Sequence, residues 1–220
     1  HYFFKNLNTL QNFVRNLAEC TKLGGYFIST SYDGKIVFDM LKNKNVDEGY
    51  TIKDDGTKIW EIQKDYISET FEPDSSSLHY KIKVFQESIN QLIPEYLVNY
   101  EYFDRVMEDY GFQLITHAEA NEMGLPEGSG LFSDLYASLE SSAKNNSMKA
   151  NELRKALNMN SYEKKISFLN RYVVYKKIRI VNTAKVILEE VASKETQIQS
   201  LDESSQNTEN TPKKRATKQS

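Results

Sequence analysis

The residues most often used for nucleophilic or metal chemistry are scarce in this chain of 220 residues, and their spacing does not group them. His1, His79 and His117 have no paired spacing and the one cysteine, Cys20, falls in a helix tail, so no metal site is expected. Gly128-Ser129-Gly130 lacks the Lys-Ser/Thr of a phosphate-binding loop and follows no buried strand. No nucleophile elbow surrounds a serine or the cysteine, which leaves hydrolase chemistry without a motif. What remains is an aromatic-rich set: His1-Tyr2, the Pro94-Glu95-Tyr96 turn, and Tyr172 in a terminal strand. Aromatic faces with one carboxylate suit a purine base. A carboxylate accepts two hydrogen bonds from the N1–H and N2–H₂ edge of guanine, a donor pair that adenine lacks, and Glu95 is the candidate for that contact. A purely structural reading of the same residues stays open on spacing alone. In it Tyr96, Tyr100 and Phe103 form one face of a helix, Glu95 is a first-turn carboxylate favoured by the helix dipole, and Tyr172 is a strand residue.

Elements must position these side chains. From Leu7 to Cys20, Leu10, Phe13, Val14 and Leu17 recur at helical spacing, which predicts an amphipathic helix with Asn8 and Gln11 as its capping box and Gly24-Gly25 as its stop. The nearly all-apolar run Tyr26–Thr30 predicts a strand buried on both faces of a parallel sheet. Tyr32-Asp33-Gly34 reads as a loop at its C-terminal end, followed by a short helix carrying Ile36, Val37, Met40 and Leu41. Residues 43–79 are polar, and Asp54-Asp55-Gly56 marks a turn between Tyr50-Thr51-Ile52 and Lys58–Ile62, so an antiparallel insertion or lid is expected. Tyr80–Phe85 alternates like a strand. Pro94 suits a turn or a first helical position, and a helical face follows from Tyr96 to Tyr110-Gly111. Phe112–Thr116 begins another strand. Residues 117–160 read as a loop, a helix bearing Leu131, Phe132, Leu135 and Leu139, and a mobile segment around Asn145-Asn146-Ser147. Ile166–Lys176 is the most β-prone stretch and should pair antiparallel with 112–116. From Glu195 onward no apolar period remains, and the expected organisation is a domain over 1–190 with a disordered polar and basic tail over 191–220.

Composition bounds the function classes. With 39% hydrophobic and 12% aromatic residues the chain can bury a core, which excludes a fibrous or wholly disordered protein. The 28 basic and 31 acidic residues give a net charge of −3, so no global positive field steers the molecule to nucleic acid and any RNA contact must be local. A lone cysteine cannot form an internal disulfide, which fits a reducing compartment. No run approaches the roughly 20 apolar residues of a membrane span, and the start lacks a signal-peptide pattern, so no membrane partner is expected. An aromatic cluster stands at the first residues without an initiator Met, and the chain is expected to be cut from something longer.

Four blocks occur in the order and at about the spacing of one family: His1-Tyr2-Phe3-Phe4-Lys5-Asn6, Gly24-Gly25-Tyr26-Phe27-Ile28-Ser29-Thr30, Pro94-Glu95-Tyr96-Leu97-Val98 and Arg171-Tyr172-Val173-Val174-Tyr175. Over residues 1 to about 178 the chain resembles the C-terminal half of eukaryotic-type mRNA cap guanine-N7 methyltransferases. The stretch from Glu163 to Tyr172 is most similar to the versions fused into capping enzymes of giant DNA viruses. The resemblance implies an α/β fold, the C-terminal part of a Rossmann-like S-adenosylmethionine-dependent methyltransferase sheet. Tyr26–Thr30 would be its fifth strand, and 112–116 with 166–176 its terminal antiparallel pair. By position it implies that His1 faces the cap guanine, Glu95 binds the guanine edge, Tyr172 closes the cap pocket, and Tyr2 lies beside S-adenosyl-L-methionine and the base. Where the family places a stacking aromatic before the Pro-Glu turn, Tyr80 is the candidate.

The activity so implied is methyl transfer from S-adenosyl-L-methionine to N7 of the 5′ guanosine cap. Guanine N7 carries a lone pair and no proton, so attack on the sulfonium methyl needs no general base, and placement does the work. The partners implied are 5′-capped mRNA and fused or associated RNA triphosphatase and guanylyltransferase domains. The implied location is intracellular, in the nucleus or, for a viral protein, in the host cytoplasm or virion. The family's glycine-rich turn, its acidic ribose-binding residue and its cap-phosphate Lys and Arg lie N-terminal to the His-Tyr pair, so the chain alone is expected to be inactive. Two other readings are a non-catalytic methyltransferase-like module that binds capped RNA or scaffolds a capping complex, and a methyltransferase for another substrate. The run Lys213–Lys218 reads as a nuclear signal, an RNA-attracting arm or a solvated charged end.

Overall fold

In the computed structural model, which describes residues 1–144, 148, 151 and 153–188, helix α1 (Leu7–Cys20) buries Leu10, Val14 and Ala18 on one face, as its spacing predicts. Its cap differs from the expected Asn8–Gln11 pair. The 3₁₀ turn Tyr2–Lys5 delivers the chain to Asn6 in an extended conformation, so Asn6 becomes the N-cap. Its side chain accepts from Thr9 N at 2.9 Å, and Thr9 Oγ1 accepts from Asn6 N at 3.3 Å. Gly24, at φ +77°, then reverses the chain into strand β1 (Tyr26–Tyr32).

β1 is not buried on both faces, nor does it lie in a parallel arrangement. It pairs antiparallel with β8 (Asn170–Lys177), from Tyr26 opposite Lys176 to Tyr32 opposite Asn170. Phe27 faces helix α1 and strand β8 through Phe13 and Tyr175, while Ile28 on the other face is 67% exposed. An apolar run cannot reveal how many neighbours a strand has, and the described residues supply one. On its far side β8 pairs antiparallel with β6 (Phe112–Leu114), as expected, and with the short β7 (Ser129–Leu131). β8 also begins later than predicted. Asn160 and Glu163 form a capping box for a helix over Ser161–Ser167, and these hydrogen bonds outweigh the β propensity of Ile166–Leu169.

The expected insertion is a second, wholly antiparallel sheet of β2 (Gly49–Asp54), β3 (Thr57–Asp65), β4 (Lys81–Gln86) and β5 (Gln91–Tyr96), in that order. Its apolar face, with Trp60, Ile62, Ile82 and Val84, packs on Val37, Phe38 and Leu41 of helix α2 (Gly34–Leu41). Pro94 lies inside β5 rather than in a turn, at the edge of the sheet, where a residue without an N–H is tolerated. Helix α3 (Tyr100–Asp109) starts only after Asn99, whose side chain caps it. Glu95 is therefore a strand residue, which removes the reading of it as a first-turn helix carboxylate. Helix α4 (His117–Glu122), closed by a Thr116–Glu119 capping box, occupies part of the expected loop, and α5 (Phe132–Lys144) carries Leu135 and Leu139 as predicted.

The chain divides into two units, His1–Val181 and Asn182–Ser220, and in the second a helical stretch covers 183–188. The segment around Asn145-Asn146-Ser147, the 190/191 boundary and the polar tail lie outside the described residues. Among the described residues no helix is long and apolar enough to cross a membrane, and no group of His, Cys, Asp and Glu could hold a metal ion.

Candidate functional site

The 3₁₀ turn Tyr2–Lys5 holds the first two residues in place through its aromatic side chains. Phe4 is buried against Phe103 of α3 with ring centroids 5.3 Å apart, and Phe3 stacks on Phe13 of α1 at 4.0 Å. Phe4 O also accepts from His79 N at 3.1 Å. This anchoring sets His1 beside the edge strand β5, with its Nε2 3.9 Å from Glu95 Oε2. The His1 and Tyr2 rings meet at 4.1 Å and 55°, and Tyr2 is 53% exposed, leaving its ring open to a ligand. His1 Nε2 is buried and makes no hydrogen bond among the described residues. Burial pushes the Glu95 carboxyl above its ordinary value. The structure thus joins three of the predicted residues, His1, Tyr2 and Glu95, in one place.

Three residues that the sequence reading missed complete it. Trp60 Nε1 donates to Tyr32 Oη at 3.1 Å, the side chain of Gln86 reaches the same hydroxyl, and Glu95 is near enough for its charge to act on it. Register explains the Trp60–Gln86 grouping, because the two stand opposite each other in the β3–β4 ladder, whereas Glu95, opposite Ile82, lies four residues further along β4 on the same face. A signal was present for Tyr32: it ends the first strand, and ligands of open α/β sheets lie beyond the carboxyl ends of strands.

The other two candidates sit differently. Tyr80 is 7% exposed and its ring packs among Phe38, Tyr66 and Phe71, while its hydroxyl donates to Thr70 O at 2.6 Å. It is a core residue of the insertion, with its ring enclosed by those three. Tyr172 stands opposite Thr30, two residues before Tyr32, yet its ring packs with Ile115, Ala120, Leu125, Phe132 and Leu135. Its hydroxyl donates to Glu127 O at 3.0 Å, so its polar atom is engaged away from Glu95.

A buried brace supports the end of β1. Asp33 Oδ1 accepts from Ile36 N at 3.0 Å to cap α2, and Asp33 Oδ2 accepts from Arg171 Nε at 2.7 Å. Arg171 also donates to Ser129 Oγ at 3.1 Å and lies over the ring of Tyr100, whose hydroxyl is 2.7 Å from Ser31 Oγ. Burial pushes the Tyr100 hydroxyl up to about 12. Gly34 is fixed by close approach, since a Cβ there would stand 2.3 Å from Val98 O. A groove of about 670 Å³ runs past Asp33, Phe71, Tyr100 and Arg171 without including His1, Tyr2 or Glu95.

Residues 1–177 match the family model for the mRNA (guanine-N(7))-methyltransferase domain. The "Probable mRNA-capping enzyme" of Acanthamoeba polyphaga mimivirus is 28% identical over 207 residues, which cover 83% of this chain and 17% of that protein. The "mRNA cap guanine-N(7) methyltransferase" of Aspergillus fumigatus is 23% identical over 137 residues, covering 52% of this chain and 20% of that protein. The chain thus spans about a fifth or less of the length of these relatives. With the family match running through β8, the last strand of the sheet that carries Tyr32 and Tyr172, this chain belongs to the mRNA (guanine-N(7))-methyltransferase domain family.

Proposed function

We propose that this chain is the cap-reading part of an enzyme that transfers a methyl group from S-adenosyl-L-methionine to N7 of the 5′ guanosine of capped mRNA. The observation that carries the reading is the pairing of Glu95 with His1: a half-buried carboxylate on an edge strand, beside a histidine nitrogen that makes no hydrogen bond of its own. In this reading Glu95, ionised, accepts from N1–H and N2–H₂, selecting guanine and favouring the positive charge that forms on the purine. His1 borders the base, while Tyr172, buried beside Ile115, Phe132 and Leu135 with its hydroxyl held by Glu127 O, contributes only to the sheet behind the site. The residues fit one wall of a donor site, since the open ring of Tyr2 offers an aromatic face to a sulfonium cation. S-adenosyl-L-methionine, when bound, supplies a methyl group activated for displacement. The chain's own contribution is orientation: the base must be held so that its N7 lone pair meets that carbon in line.

The finer fold belongs to the same proposal. The order β1-β8-β6, with a single neighbour to β1, supports the C-terminal part of a Rossmann-like sheet whose remaining strands would pair with the free edge of β1. Triphosphatase and guanylyltransferase domains are then the natural fused or associated partners. The protein would act inside the cell, in the nucleus or, if viral, in the host cytoplasm or virion. The retained His1–Glu95 arrangement favours this reading over a scaffold that would need no base pocket.

The test is methyl transfer to guanosine-capped RNA by the full-length protein. Glu95→Ala should lower it about a hundredfold or more, because the two guanine donors lose their partner in a desolvated site. Near-normal turnover by a folded Glu95→Ala protein would remove Glu95 from the reaction.

A further inference from the structure

The groove past Asp33 lies apart from His1, Tyr2 and Glu95. One wall is the outer side of α2, and a second is the start of α3 with Tyr100 and Glu101. The third is a strap over residues 69–73, fastened at successive carbonyls. Tyr80 Oη donates to Thr70 O at 2.6 Å, and Asn99 Nδ2 donates to Phe71 O at 3.3 Å and to Glu72 O at 3.0 Å. Asn99 also caps α3, so strap and helix are tied to one side chain. Between these walls Ile36, Phe71, Pro73 and Leu131 are only half-buried, which leaves apolar surface open.

The charge around that surface is unbalanced. Asp33 is neutralised by Arg171 at 2.7 Å, and Asp39 has Lys35 at 3.8 Å. Glu69, Glu72 and Glu101 are exposed on the lining and form no ion pair among the described residues, and Lys42 is the one cation left to face them. Asp104 adds a further carboxyl, which burial holds above its ordinary value, with the charges of Glu108 and Glu101 adding to the effect. Such a rim repels the phosphates of nucleic acid and attracts Lys and Arg, while the apolar lining favours a ligand that also carries apolar side chains.

We propose that this groove docks a basic amphipathic segment of a partner protein, its Lys and Arg side chains against Glu69, Glu72 and Glu101 and its apolar side chains on Phe71 and Leu131. The proposal does not depend on the cap-reading function. A volume of about 670 Å³ seats a few side chains, the scale of a short peptide rather than of a folded domain. Because the walls are already fastened, little ordering entropy opposes binding.

The experiment measures fluorescence anisotropy of short labelled peptides with the full-length protein. One peptide carries Leu and Arg at helical spacing, a second replaces each Arg by Glu, and a third replaces each Leu by Ser. The first should bind with a micromolar Kd that weakens about tenfold from low to physiological salt, and the other two should not bind. The triple variant Glu69→Lys, Glu72→Lys, Glu101→Lys should weaken binding about tenfold or more and leave methyl transfer to capped RNA unchanged. Lys42→Glu should instead tighten it, a gain that partial unfolding cannot produce. No binding of the first peptide at about 100 μM overturns the proposal. So does equal binding of the Glu peptide, which would show that the carboxylates do not select, or of the Ser peptide, which would show attraction by charge alone. Displacement of the first peptide by a cap dinucleotide would place it in the cap site and likewise overturn the proposal.

Discussion

Glu95 is 13% exposed at its side chain, with the His1 ring 3.9 Å away and the Tyr32 hydroxyl within reach of its charge. Its carboxyl is held above its ordinary value because burial disfavours the charge. The fold therefore holds the Glu95 proton more tightly than the unfolded chain does. This group's contribution to stability falls as pH rises from the ordinary glutamate value of 4.5 through the raised one. Guanine recognition needs the opposite form, the carboxylate. Activity is thus expected to rise with pH through the raised Glu95 value, on an acid limb lying above 4.5, and Glu95→Gln should lose that limb along with most of the rate. A pH–rate profile of the two proteins checks this, and an unchanged acid limb in the variant would assign it to another group. Glu95 was legible as a candidate because a carboxylate in a Pro-Glu-aromatic setting is distinctive. Tyr32, Trp60 and Gln86 were not, since nothing local in their sequence indicates that a tryptophan of one sheet meets a tyrosine of the other.

At the level of elements, the end of β1 depends on Asp33, 5% exposed, which caps α2 and holds Arg171 of β8. Removing a cap costs about 1 kcal/mol, and removing one partner of a buried ion pair costs more because it strands the other charge. Arg171 is 27% exposed at its side chain and can recover part of its hydration. Asp33→Ala is accordingly expected to destabilise the full-length protein's domain by about 3 kcal/mol. Asp33→Asn, which keeps an oxygen for the cap, should cost less. Urea unfolding measures both, and equal losses in the two variants would mean that the Arg171 contact carries the whole effect. The helices and the insertion hairpin were readable because their signals are local: apolar spacing in α1, and the Asp55-Gly56 turn between β2 and β3, where both residues take positive φ. Pro94 misled because its fixed φ suits both a helix start and an edge strand, and only pairing with β4 decides between them.

Among the described residues β1 keeps a free edge, and Leu23 at 59% and Ile28 at 67% are well exposed there. On the proposed reading the isolated chain lacks most of a donor site. Calorimetry should detect no S-adenosyl-L-methionine binding to it, and clear micromolar binding would count against that reading. The bare edge should also make the isolated chain self-associate with concentration in sedimentation, and Ile28→Lys should suppress this by placing a charge on the exposed strand. By itself the sequence determined the elements and the chemistry at hand: an amphipathic first helix, an antiparallel hairpin insertion, a closing antiparallel strand, and a carboxylate with aromatics suited to guanine. It did so because periodicity, caps and turn residues act over a few positions. Only the tertiary structure decided that β1 has one neighbour among the described residues, that Glu95 belongs to a strand beside His1, that Tyr80 is enclosed in the insertion core, and that Tyr32 meets Trp60 of the other sheet. Those outcomes depend on strand register and on packing between residues far apart in the chain, and no local pattern of side chains encodes which distant surfaces will meet.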